Sequence, residues 1–268
     1  MLLVQQGKVS SRERARRLIM AGAVRVGTHG SVPVLVDKPG KHVPCDAIIT
    51  LQQDDIPYVS RGGLKLQKAI EYFAIKVAGK IAIDVGASTG GFTDCLLQNG
   101  AAFVYAVDVG YGQLDWKLRT DERVAVIERT NIRYVQPEQF PKEIGVATID
   151  VSFISLNKVM PVVASLLRID GEIVALIKPQ FEAGRRNVSK GGVVRDPEIH
   201  CQVIQNICDL AVRTGLTVKG LTYSPVKGPA GNIEYLIWLQ KGKDADVRYP
   251  ILNIRNVVSE AHAAPFTN

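Results

Sequence analysis

The run Asp84-Val85-Gly86-Ala87-Ser88-Thr89-Gly90-Gly91-Phe92 follows the apolar stretch Lys80-Ile81-Ala82-Ile83, and a second apolar stretch over 101–107 ends in Asp108. A strand, a glycine turn, a helix and a second strand tipped by an acid make a βαβ unit. Its glycines let the backbone approach a nucleoside, and its acid accepts hydrogen bonds from ribose hydroxyls. The expected chemistry is binding of a cofactor built on adenosine. A dinucleotide wants G-x-G-x-x-G, with its pyrophosphate on the helix N-terminus. This turn reads G-A-S-T-G-G and opens with Asp84, an anion that repels pyrophosphate and suits a cation. S-adenosylmethionine, with a sulfonium and an α-amino group and no phosphate, fits better; a dinucleotide enzyme and a purely structural glycine turn are the alternatives. Gly86, Ser88 and Gly90 are expected to line the turn, Asp108 to hold the ribose, Asn131 to approach the adenine edge, and Asp84 to attract the amino group.

Positioning those residues requires an alternation of strands and helices, and from Tyr58 onward the chain supplies it. Candidate strands lie at 81–84, 103–108, 124–128, 146–150, 172–177, 217–223 and 234–240, with helical patterns at 65–73, 93–99, 156–167 and 197–214. Seven strands, the last after a short turn, match a methyltransferase sheet better than the six of a dinucleotide domain. The expected fold class is α/β, a Rossmann-like doubly wound sheet. The tail over 242–268 starts polar and is read as lacking a clear core face.

Ahead of this lies a different composition. Within residues 1–41, eight cations (Lys8, Arg12, Arg14, Arg16, Arg17, Arg25, Lys38 and Lys41) face only Glu13 and Asp37, which accounts for most of the net charge of +7. Ser10-Ser11 is expected to cap a helix over 12–21 that ends at Gly22, and short β-rich segments follow at 24–26, 34–36 and 47–51. A solvated charged helix is the plain reading. Four arginines on one short helix favour a phosphate backbone instead, with Lys8, Arg12, Arg14, Arg16, Arg17 and Arg25 as the candidate RNA contacts. Residues 1–51 are thus read as a small α+β RNA-binding domain, 52–57 as a linker and 58–241 as the catalytic domain.

Cys45, Cys95, Cys201 and Cys208 form no C-x-x-C pair and have no histidine at ligand spacing, so they read as buried free thiols with neither metal nor disulfide implied. No apolar run reaches the roughly 18 to 20 residues that span a bilayer, and no leader pattern opens the chain. The expected location is the cytoplasm.

Several strings together resemble the TlyA (haemolysin-A-like) family of ribose-2′-O RNA methyltransferases, which joins an S-four-type RNA-binding module to an FtsJ-type catalytic domain. They include 10–15 (Ser-Ser-Arg-Glu-Arg-Ala), 58–66 (Tyr-Val-Ser-Arg-Gly-Gly-Leu-Lys-Leu), the turn at 84–92, and 106–114. Ile149-Asp150-Val151-Ser152-Phe153-Ile154-Ser155, Leu176-Ile177-Lys178-Pro179-Gln180-Phe181-Glu182, Ser224-Pro225-Val226-Lys227-Gly228-Pro229 and Asn232-Ile233-Glu234 complete them. The resemblance covers nearly the whole chain to about residue 241. It implies a lysine-aspartate-lysine-glutamate tetrad at Lys65, Asp150, Lys178 and Glu234; within it Lys178 is expected to act as the base, with positioning of the hydroxyl as the alternative, and Asp150 to contact the cofactor as well as the lysines. It further implies ribosomal RNA as the partner, cytidine ribose as the acceptor and no obligate protein partner. The competing expectations are an RNA-binding protein with an inactive methyltransferase domain, and a membrane-active haemolysin.

Overall fold

The computed structural model describes residues 2–9, 12–20, 22–28, 30–36, 38–51, 56–242 and 253–266, without the side chains of Glu13, Arg14 and Arg17. The expected cap Ser10-Ser11, those two arginine side chains and most of the expected linker therefore lie outside the described residues. The chain divides into two compact units, 1–60 and 61–268.

The first unit carries helices α1 (Leu2–Gln5) and α2 (Arg12–Met20) and a three-stranded antiparallel sheet. In that sheet β1 (Val24–Gly27) is central, between β2 (Val34–Leu35) and β3 (Ile48–Leu51). Leu3, Val9, Ala15, Val24, Val36 and Ile49 form its core. Helix α2 stops at Gly22, whose φ of 73° favours glycine; Gly22 N–H donates to Ile19 O at 3.0 Å and Ala23 N–H to Leu18 O at 2.9 Å, a Schellman-type ending. Lys8, Arg12 and Arg16 are exposed, and Arg25 is half-buried.

The second unit opens with α3 (Gly62–Phe73) and builds its parallel strands as β4 (Ile81–Val85), β5 (Phe103–Val107), β6 (Val124–Ile127), β7 (Ile144–Ile149) and β8 (Leu167–Ile177). Helices α4 (Gly91–Gln98), α5 (Trp116–Arg119), α6 (Met160–Leu166) and α7 (Pro179–Glu182) join them. Then come α8 (Pro197–Arg213), β9 (Leu216–Tyr223), β10 (Tyr235–Lys241) and α9 (Ile254–Ala263). The sheet order is β6-β5-β4-β7-β8-β10-β9, with β10 antiparallel to both its neighbours. β4, β5 and β7 have near-continuous buried runs, as strands covered on both faces require. The strand order reverses between β4 and β7, which is where open α/β sheets leave a crevice.

Three expectations are corrected. The helix expected over 156–167 breaks into a 3₁₀ turn, Leu156–Lys158, and α6, because Pro161 lacks the N–H a continuing helix would use. β8 accordingly starts at Leu167, and its first residues pair irregularly with β7. The tail does have a core face: α9 buries Val258 and Ala261 in the main core. Cys45 is exposed rather than buried, and Cys201 is half-buried. Among the described residues no helix is long and apolar enough to cross a membrane.

Candidate active site

The tetrad residues arrive from four separate elements at one edge of the sheet. Asp150 follows β7, Lys178 follows β8, Glu234 immediately precedes the antiparallel β10, and Lys65 lies in the first turns of α3. Lys178 Nζ is 2.6 Å from Asp150 Oδ1 and donates to Ser152 Oγ at 2.9 Å. Lys65 Nζ donates to Glu234 Oε2 at 2.6 Å and stands 4.0 Å from Asp150 Oδ2. Asp150 is therefore shared by both lysines. Burial alone would lower the pKa of Lys65, but Asp150 and Glu234 raise it by more, so this amine is held protonated. Burial raises the Asp150 pKa while Lys65 and Lys178 lower it, and the net shift is downward. The result is a fixed cation, a fixed anion and a second lysine reaching toward the exposed Ser152.

The glycine turn touches this cluster directly. Gly86 has φ of 88°, and a Cβ there would lie 2.5 Å from Asp150 O, so only glycine lets the two loops meet. Gly90, at φ 96°, caps α4 and is closed in by Leu118 and Leu114; a Cβ would meet Leu118 Cδ1 at 2.2 Å. Ser88 adopts a positive φ of 50° and stays exposed. Its N–H donates to Asp108 Oδ2 at 2.8 Å, and Gly110 N–H donates to Asp108 Oδ1 at 2.6 Å. Asp108 is thus held by two backbone donors at the tip of β5, half-exposed. Asn131 uses Oδ1 to cap the turn Ile132–Tyr134, accepting from Arg133 N–H at 3.2 Å.

Asp84 departs from its expected place. It is fully buried, accepting hydrogen bonds from Thr93 Oγ1 at 2.7 Å and Thr148 Oγ1 at 3.0 Å. Burial pushes its pKa up to about 7, against the opposing pull of those hydroxyls. It fastens β4 to α4 and β7 from below the turn rather than facing an amino group across it.

Reading the sequence missed a second layer. Phe153 has a φ of 63° and is 92% exposed, with its ring centroid 5.2 Å from that of Phe181. Together with Ile154, Gln180, Arg185 and Val188 they line an open pocket of about 480 Å³, and Lys178 Nζ lies 6.0 Å from the Phe181 ring centroid. Glu182, at the end of α7, accepts from Ser155 Oγ at 2.7 Å and from Leu156 N–H at 2.8 Å. A left-handed φ on an exposed aromatic costs free energy that its surroundings must hold, and such strain clusters at functional sites. The available signal was a phenylalanine between two serines just after a strand-end aspartate.

A doubly wound sheet with an antiparallel penultimate strand, a glycine turn abutting Asp150 and two lysines on one carboxylate define a methyltransferase. Residues 58–241 match the FtsJ-like methyltransferase family, and the chain belongs to it; residues 1–29 match the S4 domain. The chain is 44% identical over 243 residues, 90% of this chain and 89% of the other, to the 16S/23S rRNA (cytidine-2′-O)-methyltransferase TlyA of Mycobacterium tuberculosis. It is 46% identical over 232 residues, 86% of this chain and 94% of the other, to Hemolysin A of Brachyspira hyodysenteriae. A solved Streptococcus thermophilus structure, provisionally described as a hemolysin, superposes with a TM-score of 0.78 at 46% identity, covering 98% of this chain and 94% of that one.

Proposed function

We propose that this chain methylates the 2′-hydroxyl of a cytidine in ribosomal RNA, using S-adenosylmethionine. The observation that carries the reading is Lys178 Nζ, 2.6 Å from Asp150 and 2.9 Å from Ser152, beside the loop that meets the Gly86 turn. The residues present suit the cofactor. The turn offers an exposed Ser88, Asp108 offers a fixed carboxylate for ribose hydroxyls, and Asp150 adds negative charge suited to a sulfonium. Bound there, S-adenosylmethionine would supply an activated methyl group.

The chain's own residues supply alignment and proton transfer. Methylation would require the ribose hydroxyl to shed its proton, and the group placed to take it is Lys178 Nζ in its neutral amine form. Asp150 orients that amine, and Lys65, kept protonated by Glu234 and Asp150, contributes the positive charge beside it. Phe153 and Phe181 offer aromatic faces to a base lifted out of its stack, as RNA recognition commonly uses. The basic first unit supports an RNA partner, and the names of the rRNA-modifying relatives support ribosomal RNA and cytidine.

Incubating the full chain with methyl-labelled S-adenosylmethionine and unmodified ribosomal subunits, then digesting the RNA to nucleosides, should give labelled 2′-O-methylcytidine. Absence of label in RNA sinks the proposal. Lys178→Ala should lower the single-turnover rate by roughly 10² to 10⁴ with cofactor affinity nearly unchanged. Lys178→Arg should be almost as slow, since a guanidinium keeps its proton. An alanine variant retaining more than about a tenth of the rate would remove Lys178 from the proton-transfer role.

A further inference from the structure

Two short segments bear the reacting end of the site: 150–156 after β7 and 178–182 after β8. They are clasped at both ends. At one end Lys178 Nζ joins Asp150 at 2.6 Å and Ser152 at 2.9 Å. At the other, both carboxylate oxygens of Glu182 grip the far side of the same loop, taking Ser155 Oγ at 2.7 Å and Leu156 N–H at 2.8 Å. Between the two clasps the Phe153 and Phe181 rings meet at 5.2 Å.

Neither segment is held by a long regular element. Helix α7 is a single turn of four residues with Pro179 at its start. The loop carries Phe153 at a φ of 63°, a conformation that persists only where its surroundings impose it. Ser155 is itself committed, since its Oγ also accepts from Asn157 N–H at 3.1 Å and so caps the following 3₁₀ turn. Glu182 therefore ties the Ser155–Leu156 end of the loop that carries Ser152 and Phe153 to α7, one helical turn along from Lys178. Without it, Lys178 keeps Asp150, but the turn that presents Ser152 and Phe153 loses its outer anchor.

Resting on the methyltransferase reading above, we propose that Glu182 is a positioning residue for methyl transfer, acting through the Ser152–Phe153 turn. Both of its carboxylate oxygens are engaged by Ser155 and Leu156. Its loss slows the chemical step because misplacement of a reacting group by about 1 Å costs on the order of 10²-fold in rate.

The test uses the full chain, Glu182→Ala, Glu182→Gln, Ser155→Ala and the Glu182→Ala/Ser155→Ala double variant. Single-turnover methyl transfer to unmodified ribosomal subunits is measured at saturating cofactor and RNA, with cofactor affinity by calorimetry and the melting midpoint alongside. The expected result is a rate lowered on the order of ten- to a hundredfold in Glu182→Ala, with cofactor Kd and RNA KM within about twofold of wild type. Glu182→Gln keeps one acceptor oxygen and should recover part of the rate. The double variant should lose less than the product of the two single losses, since both changes cut the same clasp. A Glu182→Ala rate equal to wild type in a folded protein, losses that multiply in the double variant, or a slowdown matched by weaker cofactor binding would each overturn the role. If wild type itself transfers no methyl to RNA, the enzymatic reading fails first, and this one with it.

Discussion

Asp84 begins the glycine turn in sequence yet is sealed beneath it in space, with two threonine hydroxyls as its partners. Its raised pKa of about 7 against 3.8 makes a stability statement. Between those two values the native state keeps a proton that the unfolded chain has lost, so this carboxyl's contribution to stability is full below pH 4 and declines as pH rises toward 7. The slope is up to roughly 1.4 kcal/mol per pH unit. Asp84→Asn keeps the shape and an acceptor oxygen without the titration. Urea unfolding of wild type and Asp84→Asn from pH 4 to 8 should show the variant gaining relative stability as pH rises; parallel curves would mean Asp84 does not retain its proton there. The sequence made the acid's position visible but not its burial, because burial depends on Thr148, 64 residues away. The tetrad positions were legible through the family resemblance, and each sits at a strand end or in the first turns of a helix. Ser152, Phe153 and Glu182 were not, because their roles arise from a turn and a one-turn helix that carry no periodicity.

Helix α9 illustrates the opposite failure, in which the signal was present and unused. Ile254, Val257, Val258 and Ala261 follow the i, i+3, i+4, i+7 spacing of an amphipathic helix, and Asn253 Oδ1 caps it by accepting from Asn256 N–H at 3.1 Å. Its polar residues lock onto α8 as well. Arg255 pairs with Glu198 at 2.7 Å, and His262 Nε2 lies 3.3 Å from His200 Nδ1. His200 Nε2 faces Val194 O at 3.0 Å. Since a carbonyl only accepts, that nitrogen carries the proton, and Nδ1 accepts from the Tyr235 hydroxyl at 2.6 Å. Tyr235 follows Glu234, so the tail braces the strand that delivers a tetrad acid. The surrounding residues were obscured in sequence by the polar stretch that opens the tail. Val258 is 1% exposed, and Val258→Ala should cost about 2 kcal/mol in urea unfolding, from lost burial and the cavity left behind. A change within about 0.5 kcal/mol, the range of ordinary surface substitutions, would mean the helix is not docked in solution.

At the scale of the whole molecule, the excess positive charge and the proposed catalytic groups belong to different units. The net charge of +7 is concentrated within residues 1–41, where Lys8, Arg12 and Arg16 are exposed, while the glycine turn and Lys65, Asp150, Lys178 and Glu234 lie wholly within 61–268. Each unit has its own apolar core, so RNA affinity and cofactor affinity should be separable by substitution. A solvated basic helix and an RNA-binding one look alike in isolation; they differ in what happens when salt changes. Each phosphate neutralised by a cation releases bound counterions, so the logarithm of affinity falls linearly with the logarithm of salt, by about 0.7 per contact on single strands and 0.9 on duplex. Replacing Lys8, Arg12 and Arg16 together with alanine should therefore weaken binding to ribosomal RNA and flatten that slope by up to about two to three. Calorimetric affinity for S-adenosylmethionine should stay at the wild-type value. Filter binding across a salt series measures the first, and an unchanged slope in the triple variant would place the RNA contacts elsewhere and leave α2 a solvated face.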